Sequence, residues 1–169
     1  MQLLSIAIRF VVLCVLLWLA VVDVRVRRLP TPAVLAIGGL FFLDALIVRT
    51  SFGNVVAHLL LAFGVLVICA ALFAANMLGG GDAKLASIIF LWAGPSLWLP
   101  ALTLISVIGT LVSLISLATR HMDQDQHSFP MRALAMFSGA RGVPYGVALA
   151  LGGGSVIMLP ALLPLILAR

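Results

Sequence analysis

Apolar residues occur along this chain in long unbroken runs, with neither the alternation of a half-buried strand nor the one-sided stripe of a surface helix. The runs are 3–22, 32–48, 55–75, 83–94, 97–118 and 143–167, and short polar stretches separate them. A helix that is apolar all round lies in a large core or in lipid. About 20 mainly apolar residues suffice to cross the hydrocarbon layer. The pattern predicts an all-α integral membrane protein, a bundle of about six transmembrane helices with no second domain between 1 and 169. Run 83–94 is short for a span, and Gly94-Pro95-Ser96 predicts a tight hairpin leading into the next.

Composition excludes the soluble alternative. Of 169 residues, 64% are apolar and 9% are charged, whereas soluble domains carry about a quarter charged residues. The lipid bilayer is therefore the first partner to expect. The net charge of +5 does not indicate a nucleic-acid partner, because the basic residues stand in ones and threes between apolar runs. They form no stripe that could track a phosphate backbone. Cys14 and Cys69 lie within apolar runs without a CxxC pair or a nearby histidine, and so give no zinc or disulfide pattern.

The basic residues do fix an orientation. Arg25, Arg27 and Arg28 follow the first run, while Arg9 alone precedes its apolar stretch. Lys and Arg near span ends favour the cytoplasmic side, which predicts a retained anchor with its N-terminus outside. Alternation then places 23–31, 76–82 and 119–142 in the cytoplasm, and 49–54 and 94–96 outside. Arg25, Arg27, Arg28, Lys84, Arg120, Arg132 and Arg141 fall on the inner side, and Arg9, Arg49 and Arg169 on the outer. Within the longest loop, 128-SFPMRALAMFSGA-140 predicts a short helix lying on the inner leaflet, capped by Ser128 with Pro130 in its first turn.

Ionisable residues beside apolar spans are costly and point to function. The chain has no glutamate and five aspartates. Asp23, in 21-VVDVRVRRLPTP-32, and Asp82, in 76-NMLGGGDAKL-85, both fall at the cytoplasmic edge, separated by an even number of crossings. If their helices pack together, the two carboxyl groups face each other across a small wet cavity. Two close carboxyl groups share a proton and titrate as a pair. The ionised member takes a proton from water, and the protonated member polarises a scissile carbonyl. Such chemistry requires no metal and no cofactor.

Taken singly, Asp23 also fits a helix-end charge paired with arginines, and Asp82 an N-cap. Gly79, Gly80 and Gly81 fit an opening for a substrate strand, a plain flexible loop, or close packing by small residues. Asp44 lies toward the outer end of the second span and is expected to be a snorkelling or paired structural charge, and lone His58 to be structural. The alternating 121-HMDQDQH-127, with Asp123 and Asp125, reads as a solvated loop rather than a metal site.

Three of these segments together resemble the type IV prepilin peptidases. Gly79, Gly81 and Asp82 match the fixed positions of the GxGD motif. The stretch from Asp23 to Pro30 resembles the first motif, an aspartate followed by basic residues and an aliphatic-proline pair, with Thr31 where asparagine is frequent. The stretch 143-VPYGVALALGG-153, with Pro144, Tyr145 and Gly146, resembles the PYG segment opening the last span. The resemblance implies a single membrane-embedded peptidase domain over 1–169, in the bacterial inner membrane. Its catalytic residues would be Asp23 and Asp82, and its substrate a prepilin whose short basic leader is cut at a glycine, on the cytoplasmic side, before a hydrophobic helix. Gly79, Gly80, Gly81, Lys84, Pro144, Tyr145 and Gly146 would bind substrate or shape the site. Larger members carry an N-terminal domain with two CxxC pairs, associated with N-methylation. Its counterpart is not present here, so the resemblance is to the short Flp/Tad type, without methyltransferase activity. Other GxGD proteases, and a membrane scaffold or transporter, are the competing expectations.

Overall fold

The computed structural model describes residues 1–26, 28–118 and 145–167, with 162–167 as helix backbone only. Arg27, Pro144, Arg169, the 121–127 stretch and the surface helix expected at 128–140 lie outside the described residues.

The described chain is helical throughout. It comprises α1 (Gln2–Val26), α2 (Thr31–Val48), α3 (Phe52–Ala74), α4 (Gly80–Ala118) and α5 (Tyr145–Leu167). Local chemistry sets the boundaries. Pro30 precedes α2 in an extended conformation, and Pro32 sits in its first turn, where a missing N–H costs nothing. Arg49 closes α2 in the left-handed region, its N–H reaching the carbonyls of Ala45 and Leu46. Ser51 caps α3 by accepting from the N–H of Asn54 at 3.4 Å.

Helix α4 is broken at Gly94, whose φ of 62° and ψ of −176° are not helical. Ile89 and Ile105 would stand about 24 Å apart along a continuous helix. Instead Ile105 lies against Gly152 and Ile89 against Gly153, adjacent residues of α5. The chain therefore turns back at Gly94, and arms 80–93 and 95–118 run side by side. His58 supports the break. In a continuous helix the Leu91 carbonyl oxygen would accept from the N–H of residue 95, but Pro95 has none. His58 Nδ1 supplies the missing partner at 2.7 Å.

Among the described residues, four helices, α1 to α4, are long and apolar enough to cross a membrane. This differs from the expected six because the runs 83–94 and 97–118 are arms of one broken element, and the last helix, Tyr145–Leu167, is described with its side chains only as far as Ala161. Val12, Leu16 and Leu19 of α1, Ile37 of α2, Leu85 and Ile89 of α4, and Ile157 of α5 form the buried centre. Helix α3 buries only Ala62 and presents Leu60, Phe63 and Ile68 outward. Lipid is as apolar as these side chains, so close packing rather than hydrophobic exclusion holds such a bundle together.

Candidate active site

Two ends of the bundle carry polar side chains, and they differ in kind. At one end Asp44 is buried and paired with Arg9, whose Nη2 lies 2.8 Å from Oδ2. Ser5 Oγ donates to Asp44 Oδ1, and Arg9 Nη1 donates to the Ile157 carbonyl at 2.9 Å. The Arg9 guanidinium also sits 5.5 Å from the centre of the Trp92 ring. A buried charge needs a partner and satisfied hydrogen bonds, and this cluster supplies both. Asp44 is thus a paired structural charge, with Arg9 of α1 as its partner.

Asp23 lies fourteen residues beyond Arg9 on α1, about 21 Å along the axis. It is 6% exposed. The N–H of Gly146, in the first turn of α5, donates to its Oδ2 at 2.9 Å. A β-carbon at Gly146 would come within 2.7 Å of the same oxygen. The carboxyl group therefore rests directly on the α5 backbone, and only glycine leaves room for it. Tyr145, beside it, is half exposed and faces Gly109 of the returning arm.

Asp82 occupies the first turn of α4 and is half-buried. Its carboxyl group lies within electrostatic reach of Asp23. The fold thus brings together two carboxyl groups that are 59 residues apart in sequence, and keeps Asp44 at the opposite end.

The glycines before Asp82 follow the close-packing alternative rather than the open one. Gly80 and Gly81 belong to the first turn of α4 instead of opening the backbone, and none of the three has a positive φ. Each is a contact point. Gly79 lies under the Asp82 carboxyl group, Gly80 under the Phe73 ring, and Gly81 against the Leu29 side chain. Close approach is the reason for glycine here. Leu29 is the aliphatic member of the aliphatic-proline pair, and its packing on Gly81 joins the two aspartate-bearing segments. Sequence reasoning noted Leu29 only as part of a motif and missed Phe73, which nothing in its local sequence distinguishes. Lys84 Nζ donates to Thr31 Oγ1 at 3.3 Å, so it ties α4 to the start of α2 on the exposed side.

Residues 10–114 match the type IV leader peptidase family. No curated protein and no solved structure matches the chain.

Proposed function

This chain belongs to the type IV leader peptidase family, and from that premise we propose that it is an aspartyl endopeptidase with Asp23 and Asp82 as its catalytic pair. The observation that carries the reading is the approach of these two carboxyl groups, delivered from α1 and α4 to one end of the bundle. Like-charged carboxyl groups at close range hold one proton between them. The ionised member removes a proton from water as its oxygen attacks the scissile carbonyl carbon. The protonated member donates to the carbonyl oxygen, and the tetrahedral intermediate then collapses as a proton passes to the leaving amine.

The residues around the pair take supporting roles in this reading. Gly146 orients Asp23 through its N–H, and Gly79 leaves space for the Asp82 carboxyl group. Gly80 and Gly81 seat the start of α4 against Phe73 and Leu29. Lys84 secures the α4–α2 corner, and Tyr145 opens α5.

The substrate is a membrane-anchored prepilin of the Flp type, cut between its basic leader and its hydrophobic helix. The topology is a six-span bundle with the N-terminus outside, counting the two arms of α4 separately. The aspartates then face the cytoplasm at the inner membrane of a bacterium. The activity is peptidase only, without methyl transfer.

Co-expression with a Flp-type prepilin tests the assignment. Leader removal should proceed with the unaltered protein and stop with Asp23→Ala or Asp82→Ala, while both variants still insert into the membrane. Normal leader removal by both variants would rule out the aspartyl mechanism.

A further inference from the structure

Helices α2 and α3 are joined by only 49–51, yet each packs on α4 and hardly on the other. Between them runs an apolar groove of about 320 Å³, floored by the 80–93 arm and lined by Gly38 and Gly39 of α2, Ala62 and Phe63 of α3, and Ser87 and Ile88 of α4. A β-carbon at Gly39 would meet nothing within 4 Å, so the α2 backbone is bare on that side. Ser87 is 8% exposed and contributes to the groove wall. A lipid acyl chain offers a hydroxyl no hydrogen bond, whereas a second helix with a polar side chain does.

We propose that this groove is the docking site for the hydrophobic helix of the substrate. The proposal rests on the peptidase reading above and adds the surface that presents the scissile bond. Three features point to a helix. The bare α2 backbone at Gly39 permits the close helix–helix approach that small residues allow in membranes. The Ser87 hydroxyl offers a polar contact inside an otherwise apolar wall. The groove also lies near the catalytic end in depth, because Ser87 is five residues beyond Asp82 on the same helix, about 7.5 Å along the axis. A helix seated there with its N-terminus toward Asp82 places the peptide bond that precedes it beside the aspartate pair.

Cysteine cross-linking tests the groove apart from catalysis. The background is the Asp82→Ala protein with Cys14 and Cys69 replaced by serine, co-expressed with a Flp-type prepilin carrying one cysteine in the first two turns of its hydrophobic helix. Gly39→Cys and Phe63→Cys should each give a prepilin adduct with a bifunctional maleimide. Leu111→Cys, on the lipid-facing side of the 95–118 arm, should give little. In the protein that retains Asp82, Gly39→Trp should raise KM for the prepilin about tenfold, with kcat little changed. Absence of a prepilin adduct from both groove cysteines in inserted protein would overturn the proposal. So would equal cross-linking at Leu111→Cys, or an adduct only between two copies of this chain. Failure of the peptidase reading has a different mark, which is cleavage that survives loss of the aspartates whatever the cross-linking pattern.

Discussion

The N–H of Gly146 holds Oδ2 of Asp23 at 2.9 Å, linking residues 123 positions apart. The contact joins α1 to the start of α5 at the end of the bundle where Asp82 also lies. It gives one carboxyl group a fixed orientation.

Gly146→Ala should therefore impair catalysis more than folding. The new methyl group would come within 2.7 Å of Asp23 Oδ2 and displace the carboxyl group. A displacement of about 1 Å at a reacting group costs on the order of 100-fold. Prepilin cleavage, measured as the initial rate with detergent-solubilised protein, should fall by that order. The thermal midpoint of the protein should change little by comparison.

The opposite end predicts the reverse. Removing one partner of the buried Arg9–Asp44 pair leaves an uncompensated charge, at a cost of about 3–5 kcal/mol. Arg9→Leu and Asp44→Leu should each lower the thermal midpoint. The double variant should be more stable than either single one, because no charge is stranded. Asp44→Asn should leave cleavage largely intact at a temperature where the protein is folded.

How much of this was legible in the sequence divides along the same lines. Long apolar runs specify spanning helices, because a backbone in lipid must satisfy its own hydrogen bonds. The Gly-Pro pair at 94–95 marked the chain reversal, since proline removes the N–H that would continue the helix. Asp23 and Asp82 stood out because charge is rare in this chain. The pairings were not legible. Arg9 and Asp44 are 35 residues apart, and nothing in the local sequence links them. The glycines before Asp82 look like a flexible loop in sequence, whereas Leu29, Phe73 and the Asp82 carboxyl group occupy the space where their side chains would be. Only the packing of distant elements reveals that.

The hairpin supplies a third prediction. Gly94 has φ of 62°, and a β-carbon there would strike the His58 ring. Gly94→Ala should lower the thermal midpoint through both backbone strain and the clash. Each sparsely populated backbone conformation costs on the order of 1–3 kcal/mol. Adding His58→Ala removes the clash but keeps the strain, and it strips the Leu91 carbonyl of its partner. The double variant should therefore stay below the unaltered protein in the same melting experiment.

Orientation is open to a direct labelling test. A single cysteine placed at Met1 should react with a membrane-impermeant maleimide in intact cells. One placed at Thr31 should react only after the membrane is permeabilised. The reverse pattern would put the aspartates on the outer side and overturn the proposed topology.

The central claim is that Asp23 and Asp82 together activate water. The most direct measurement is cleavage of a purified Flp-type prepilin by protein reconstituted in liposomes, comparing the unaltered chain with Asp23→Asn and Asp82→Asn. Asparagine keeps the shape of each side chain but can neither take the proton from water nor hold the shared one. Each substitution should lower the rate by at least about 1,000-fold, with the helical content unchanged. A rate within a few-fold of the unaltered protein for either variant would contradict the account.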